Sequence, residues 1–460
     1  MNKLSLLFAA LQILICTNLI YGQNTDQKSV AVTVYNANLG VVKDIRTVDL
    51  KNGTSLISIS DVAQFIDPTS VHIKLNGEVI EQNYQYDLVS LDKILQKYID
   101  NEIQLIGENN EFIEGKLLSA YGGQIVLEKK EGGLVMLPNL SKYRLSVGEL
   151  PEGLITKPTL VWMVNSNSSG KQDVEVSYQT SGMNWHAEYV AVLNDDDTEL
   201  DLNSWVSVEN SSGTTYNNAK LKLIAGDLNL VQDIYPQVGR QNDMVYMEKS
   251  TQPQFQEKEF FEYHIYNLER PTTISNNETK QISLFESADV GVVKKYYYKS
   301  GGYRTYYSNQ GNTNKVNVVV EFENKTENNL GVPMPKGKVR VYKADENSLE
   351  FIGEDLIDHT PRNEKVKLKI GDAFDITVEE KQTENNRISD RVNEQAYEIK
   401  IKNHKKEDIT VEVERYLGLY WEILSSSHTY DKKDSQNITY KIPVSKDGET
   451  VLSFKVRYVY

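Results

Sequence analysis

The feature that most constrains this chain is the alternation of apolar and polar residues between residues 174 and 226. Val174, Val176 and Tyr178 alternate with polar residues, and Leu200 begins a later run of the same kind. A period of two is typical of strands that bury one face. Ser, Gly, Asn and Asp residues, which favour turns, separate the runs. The stretch therefore predicts a meander of antiparallel strands.

Similar runs elsewhere predict an all-β protein made of several modules. The runs over residues 28–86 predict a small β module, in which Asn52-Gly53 is typical of a hairpin turn. Apolar residues at helical spacing between residues 88 and 99 predict one short helix. Short strand runs follow it, so residues 87–150 predict a helix and a small SH3-like or Sm-like barrel.

Pro151 and Pro158 mark a boundary after this segment. The strand runs beyond it predict two β-sandwich-like halves over residues 158–460, at about 158–308 and 314–460. One further helical turn is expected at residues 387–395.

The N-terminus predicts export. Lys3 precedes an apolar run from Leu4 to Ile15, and Gly22 provides a small residue for cleavage. We expect residues 1–22 to be a cleaved signal peptide, which places the protein in the periplasm or outside the cell. The single cysteine, Cys16, lies within this segment, and no later segment is long enough to cross a membrane.

The charge balance restricts the expected partners. The formal net charge is −15, which disfavours nucleic acid and anionic membrane surfaces as partners because both carry negative charge. An envelope protein or a glycan is the expected partner.

Several motifs carry a family resemblance. In the meander they are Tyr178, Trp185, Tyr189, Trp205, Asn210, Gly213, Tyr216 and Gly226, and later segments at 333–339, 351–354 and 370–375 agree. The chain from residue 160 onward resembles a bacterial family catalogued as domain of unknown function 4139, whose members are often labelled mucoidy-inhibitor-A-like. The resemblance implies a secreted β protein. It implies no catalytic residues, because the family has none established.

The sequence lacks the common catalytic and cofactor motifs. It has no G-x-S-x-G nucleophile turn and no glycine-rich phosphate loop. The six histidines are scattered without the spacing of a metal site, so no metal and no cofactor is expected.

Two groups of acidic residues provide alternatives to a binding function. The pairs Asp372 with Asp375 and Asp355 with Asp358 are the candidates for the two carboxylates of a hydrolase acting on envelope carbohydrate or peptide. The run of residues 194–198 contains three aspartates that could bind calcium in an adhesin, but a hairpin turn explains the same residues.

The segment from Lys294 to Asn312 is the candidate contact surface. Its tyrosines stand among basic residues in an otherwise acidic protein, a mixture enriched at binding surfaces and able to stack on sugar rings. The candidate residues are Tyr296, Tyr297, Tyr298, Tyr303, Arg304, Tyr306 and Tyr307. The alternative is a long hairpin whose tyrosines pack on the sheet beneath.

These observations favour a non-catalytic, secreted envelope protein that acts by binding or assembly. The envelope hydrolase is the first alternative, and the calcium-stabilised adhesin is the second.

Overall fold

The structure, a computed structural model, describes residues 25–108, 111–226, 255–260, 263–301, 315–345 and 348–459, with the backbone alone for residues 256–260. The expected signal peptide at residues 1–22 lies outside the described residues. Nearly all regular structure in the described ranges is β-strand, which confirms the all-β prediction.

The secondary-structure elements run in chain order. Before residue 90 the strands are β1 Asp26–Tyr35, β2 Leu39–Leu50, β3 Gly53–Ser60, β4 His72–Lys74 and β5 Glu78–Gln85, with a 3₁₀ turn at Pro68–Ser70. Next come helix α1 Leu91–Lys97 and strands β6 Glu102–Gly107, β7 Phe112–Tyr121, β8 Gln124–Glu128, β9 Leu134–Leu137 and β10 Tyr143–Ser146. The following strands are β11 Thr159–Ser166, β12 Gly170–Thr180, β13 Met183–Leu193, β14 Glu199–Asn210 and β15 Tyr216–Ala225.

The remaining strands belong to the second half of the chain. They are β16 Phe255–Phe260, β17 Tyr263–Leu268, β18 Thr272–Ile274, β19 Glu278–Ser300, β20 Lys315–Glu323, β21 Gly337–Asp345 and β22 Ser348–Ile357. The last are β23 Lys365–Ser389, β24 Val392–Asn403, β25 Ile409–Tyr416, β26 Trp421–Ser426, β27 Tyr430–Lys432, β28 Asn437–Val444 and β29 Glu449–Val459, and a 3₁₀ turn lies at Thr326–Asn328.

The chain divides into two compact units. Among the residues described, the first unit contains residues up to 184 together with 209–222 and 271–278. The second unit contains the remainder, which is 185–208, 223–270 and the chain from residue 279 onward. The module limits drawn from the sequence stay a prediction.

The first unit combines early and late strands. One sheet has the order β15-β1-β2-β12-β4, and another has the order β3-β11-β5. The predicted hairpin at Asn52-Gly53 is therefore wrong, because β2 and β3 join different sheets. Gly53 adopts a φ of +85°, which makes the corner without bringing its two strands together.

The predicted meander is correct in its strands and wrong in most of its pairing. The four strands β12 to β15 occupy the expected positions, but only β13 and β14 are neighbours in one sheet. Strand β12 pairs with β2 and β4, and β13 pairs in parallel with β21. A period of two predicts strands, but it carries no information on distant partners.

The predicted helix and the strands after it form one small core. The hydroxyl of Ser90 accepts a hydrogen bond from the Lys93 amide at 3.3 Å, and this cap begins α1. Leu95 of α1 packs in one apolar cluster with Leu117 and its neighbours. The five strands have the order β10-β6-β7-β8-β9 and form an open sheet. The predicted closure into a barrel is therefore wrong, because β10 and β9 lie at the two ends of the strand order.

The second unit contains one long sheet path with two apolar cores. Its order is β22-β21-β13-β14-β19-β20-β23-β24-β29-β26, and β25 pairs with both β19 and β28. One core includes Tyr189 and Phe322, and the other includes Tyr440 and Phe454. Strands β19, β20 and β23 contribute buried residues to both cores. The predicted limit between the two halves, near residues 309–314, lies outside the described residues.

The expected helical turn at residues 387–395 is wrong. These residues are the end of β23, a tight turn and the start of β24, which pair through Arg387 and Asn393. Cross-strand pairing along this hairpin overrides the weak local preference for a helix. Within the described ranges, no helix is long and apolar enough to cross a membrane.

Candidate functional site

The tyrosine-rich segment begins in β19, where alternation sends its tyrosines to opposite faces. Tyr296 and Tyr298 are buried in the second core of the second unit. Tyr297 lies between them and points to the other face, where its hydroxyl donates a hydrogen bond to Glu414. Tyr296 and Tyr298 therefore pack inside the protein, as the alternative to a contact surface predicted.

Tyr298 belongs to a buried polar network. Its hydroxyl donates to Glu380 Oε2 at 2.9 Å, and Arg415 forms an ion pair with the other oxygen of Glu380. The Arg415 guanidinium lies 4.0 Å from the centre of the Tyr397 ring. Burial and the neighbouring Glu380 carboxylate raise the pKa of Tyr298. The network holds β19, β23 and β25 together and leaves Tyr298 no surface to offer a partner.

Tyr303, Arg304, Tyr306 and Tyr307 lie outside the described residues. Binding by this segment stays a prediction, and Tyr297 is its one candidate with a half-exposed side chain in the described chain.

The candidate carboxylates of the hydrolase alternative are held by structural contacts. Asp372 accepts a hydrogen bond from Asn317 at 2.7 Å and forms an ion pair with Lys315 at 3.1 Å. The hydrogen bond from Lys315 lowers the pKa of Asp372, which disfavours a role as general acid. Asp355 accepts hydrogen bonds from the backbone amides of Leu356 and Lys369.

The aspartate run at residues 194–198 is the predicted hairpin turn. The Asn194 side chain accepts hydrogen bonds from the amides of Thr198 and Glu199, which closes the loop. Asp197 forms ion pairs with Lys294, at 2.6 Å, and with Lys343. Burial opposes ionisation of Asp197, but the two lysines outweigh it and lower its pKa. In the part of the chain that the structure describes, no cluster of three or more acidic, histidine or cysteine side chains could hold a metal ion.

A polar cleft in the first unit is the better candidate site. It has a volume of about 650 Å³, within the range of small-ligand sites. Its lining includes four side chains that are at least nine-tenths buried: Asp44, Arg46, Tyr178 and Tyr216. Burying a polar side chain costs free energy unless it is hydrogen-bonded or ion-paired, so each of these four side chains should have a partner.

Asp44 and Arg46 form a buried ion pair on strand β2. Arg46 Nε donates to Asp44 Oδ2 at 2.8 Å, and Gln27 donates to Asp44 Oδ1 at 3.0 Å. Arg46 Nη1 donates to the Ser60 carbonyl and to the Thr25 hydroxyl. Each oxygen of Asp44 thus accepts a hydrogen bond, and Arg46 donates through both Nε and Nη1.

Tyr178 and Tyr216 form a hydroxyl pair beside the ion pair. Tyr178 on β12 lies opposite Val42, one inward position from Asp44 on β2. The hydroxyl of Tyr216 lies 3.2 Å from Ser212 Oγ, and it interacts electrostatically with the hydroxyl of Tyr178. Burial raises the pKa of Tyr216 to about 12 and holds that of Tyr178 well above its ordinary value. Both hydroxyls are therefore protonated at neutral pH and serve as hydrogen-bonding groups.

The loop after β14 forms one wall of the cleft. Asn210 is buried and its amide donates to the carbonyls of Thr214 and Ile274, while its side-chain oxygen accepts from Ser212. Gly213 has a φ of +93°, and a Cβ atom there would lie 2.4 Å from Gln64 Cβ. Glycine is therefore required for the loop to pack against Gln64.

Sequence reasoning missed Asp44 and Arg46. It placed both residues within the predicted β module at residues 28–86 and assigned them no role. In fact Val42, Asp44, Arg46 and Val48 share the buried face of β2. The available signal was a pair of opposite charges, two residues apart, in register with buried valines.

The sequence matches one known protein family. The family model described as domain of unknown function DUF4139 matches residues 174–460. The chain belongs to the DUF4139 family. No curated protein matches it. The DUF4139 match includes Tyr178, Gly213 and Tyr216 of the cleft, whereas Asp44 and Arg46 precede it. A family of unknown function supplies no catalytic residues, so the function rests on the chemistry of the site.

Proposed function

We propose that this DUF4139 protein acts by binding, and that the cleft of the first unit binds a neutral glycan. The observation that carries the proposal is the set of buried, hydrogen-bonded polar side chains around a cleft of about 650 Å³. A ligand rich in hydroxyl and amide groups can satisfy such a lining, whereas an apolar ligand would leave its polar groups unpaired.

The charge of the cleft supports a neutral ligand. The positive charge of Arg46 is compensated by Asp44 at 2.8 Å, and Lys157 at the rim is compensated by Asp61 at 2.7 Å. The remaining polar lining includes the uncharged side chains of Asn217 and Asn276. Hydroxyl and amide donors and acceptors therefore dominate recognition.

The same lining supports binding over catalysis. Asp44 has both oxygens occupied, and the raised pKa values of Tyr178 and Tyr216 keep their hydroxyls protonated at neutral pH. A general base must accept a proton near the operating pH, and neither feature serves that purpose.

The binding experiment uses the mature protein and defined probes. Tetrasaccharides of glucose and of N-acetylglucosamine are titrated by calorimetry, and binding to at least one is expected. Asn217→Trp, which places a large side chain at the lining of the cleft, is expected to weaken binding at least about tenfold by steric exclusion. Asn52→Trp is the matched control, because Asn52 is exposed in the same unit but lies outside the cleft lining.

Two results would contradict the proposal. One is the absence of binding to either probe, and the other is equal binding by Asn217→Trp and the wild type. Release of new reducing ends during the titration, abolished by Asp372→Asn, would instead favour the hydrolase alternative.

We also propose that the protein is exported to the periplasm or beyond. The support is the basic residue, apolar run and small residue within the first 22 residues. Cell fractionation followed by N-terminal sequencing is expected to find a mature chain that begins at Gln23. A cytoplasmic chain that retains Met1 would contradict this.

A further inference from the structure

A second surface, in the second unit, carries charge that the proposed cleft does not use. It is the outer face of neighbouring strands β25, β19, β20 and β23, on the side of β19 that bears Tyr297. A cavity of about 290 Å³ on this face is lined by five lysines: Lys295, Lys299, Lys367, Lys369 and Lys433. We call these five residues the lysine face.

The strand registers place these side chains side by side. Lys295 lies opposite Val319, which in turn lies opposite Lys369. Glu321 lies opposite Lys367 in the next row. Residues two apart on a strand are separated by about 7 Å and neighbouring strands by about 5 Å, so the ammonium groups form a two-dimensional array at that spacing.

More lysines than carboxylates line the cavity itself. The same cavity is lined by three carboxylates, Glu321, Glu412 and Asp355, against five lysines. The single carboxylate of Glu321 lies within 3.5 Å of three ammonium groups, those of Lys295, Lys365 and Lys367. Burial opposes its ionisation, but these lysines outweigh burial and lower the pKa of Glu321. At the edge of the cavity, Glu414 and Asp372 form ion pairs with Lys433 at 2.5 Å and with Lys369 at 3.7 Å. Among the described residues, Lys299 is therefore the lysine of this face that no carboxylate pairs with.

Two features of the face point to a sugar polymer as the anion. The Tyr297 ring lies within the lining, next to Lys299, whose ammonium group is 5.9 Å from the ring centre. No carboxylate among the described residues forms an ion pair with Lys299. An aromatic ring beside cations provides both a stacking surface for a sugar and partners for carboxylates.

We propose that the lysine face binds an acidic polysaccharide, a chain of sugars that carry carboxylate groups. The side chains of Lys367, Lys369 and Lys433 are more than half exposed, so each contributes weakly and binding depends on several acting together. Salt screens exposed charges within about 10 Å, so the affinity falls as ionic strength rises.

The test uses the full mature chain and polygalacturonate as the probe. Binding is expected at low ionic strength and is expected to weaken with added salt, while neutral dextran is not retained. The triple variant Lys299→Gln, Lys367→Gln and Lys369→Gln is expected to bind at least about tenfold more weakly, because three of the five cations are lost.

The matched control removes the same number of charges elsewhere. Lys51→Gln, Lys129→Gln and Lys142→Gln are exposed positions of the first unit, and this variant is expected to bind polygalacturonate as the wild type does. Equal weakening by both triple variants, or no weakening by the first, would overturn the proposal.

Poly-L-glutamate distinguishes the source of the carboxylates. It presents the same charged groups without sugar rings, so tighter binding of polygalacturonate is expected. Equal affinity for the two polymers would overturn the assignment to a polysaccharide. Each of these outcomes is independent of the cleft, because neither triple variant alters a residue that lines it.

Discussion

The cleft of the first unit and the lysine face of the second unit present polar groups in opposite ways. In the cleft, Asp44 and Arg46 are 4% and 7% exposed and are fixed by hydrogen bonds. On the lysine face, the side chains of Lys367 and Lys433 are more than half exposed and are restrained mainly by neighbouring carboxylates.

The difference separates two kinds of recognition. Buried groups are held in one geometry and cannot be screened by salt, so they select a ligand by shape and hydrogen bonding. Exposed lysines move freely and attract many anions, so they select mainly by charge density. The four predictions below test this contrast through stability, beginning with the largest effect.

Removing the buried cation tests the cleft most severely. Arg46→Met leaves the Asp44 carboxylate buried without its ion pair, and this should lower the free energy of unfolding by about 3–5 kcal/mol. The double variant Asp44→Leu with Arg46→Met should recover most of this loss, because no charge remains buried. Urea unfolding followed by circular dichroism measures both.

The control for this prediction lies on the same strand. Lys43→Met changes an exposed residue on the opposite face of β2 and should alter the free energy by less than about 0.5 kcal/mol. If Arg46→Met were as mild as Lys43→Met, the contrast between buried and exposed charge would fail.

Removing one tyrosine hydroxyl should lower the free energy of unfolding by less, and it should also change how stability depends on alkaline pH. Tyr216→Phe loses the contacts to Ser212 and Tyr178 and should cost about 1–2 kcal/mol. The folded pKa of Tyr216 is raised from 10.0 to about 12, so its contribution to stability is complete below pH 10 and is lost as the pH rises through 12. The two proteins are compared by measuring stability as a function of pH, with the absorbance of tyrosinate as a second signal.

The variant should therefore lose less stability than the wild type between pH 10 and pH 12. Tyr121→Phe is a suitable control, because Tyr121 is exposed and should leave the pH profile unchanged. Identical alkaline profiles for Tyr216→Phe and wild type would refute the burial of this hydroxyl.

Asp197 is intermediate between the two regions, since it is partly buried and paired with two lysines. Its lowered pKa means that its contribution to stability is present above the ordinary value of 3.8 and is lost as the pH falls through the folded pKa. Asp197→Asn should remove that part of the acid dependence, at a cost of at most about 1 kcal/mol at neutral pH.

Acid titration of the unfolding temperature measures this effect. Asp196→Asn, in the same turn, serves as the control because Asp196 is exposed. An acid profile of Asp197→Asn that matches the wild type would show that the two lysines do not stabilise the carboxylate.

The smallest effect is expected on the lysine face itself. The triple variant at Lys299, Lys367 and Lys369 should change the free energy of unfolding by less than about 0.5 kcal/mol in total, since exposed ion pairs contribute little. Differential scanning calorimetry checks this. A large loss of stability would mean that these lysines support the fold rather than a ligand.

Strand positions were the part of the fold that the sequence could predict. Alternation identified β12 to β15, and apolar residues at helical spacing between residues 88 and 99 identified α1. These features depend on local chemistry. Pairing does not: β2 and β12 pair although Asp44 and Val176 are more than a hundred residues apart in the chain. Such a partner is chosen by the packing of the whole unit.

The candidate sites divide in the same way. The period of two in β19 predicts that Tyr297 faces the opposite side of the sheet from Tyr296 and Tyr298. The cleft was beyond prediction, because Asp44 and Tyr216 meet only after distant strands assemble. A charge inside a strand also contradicts the general rule that charged residues face water.

The long strands of the second unit have a consequence for how it opens. Strands β19, β20 and β23 run through both apolar cores, so neither core can separate without breaking ladders that the other core needs. Independent foldons require few contacts across their boundary, and this arrangement provides many. The two cores should therefore exchange their deepest amide hydrogens at one common rate, as a single cooperative unit that resists partial opening and the proteolysis that follows it.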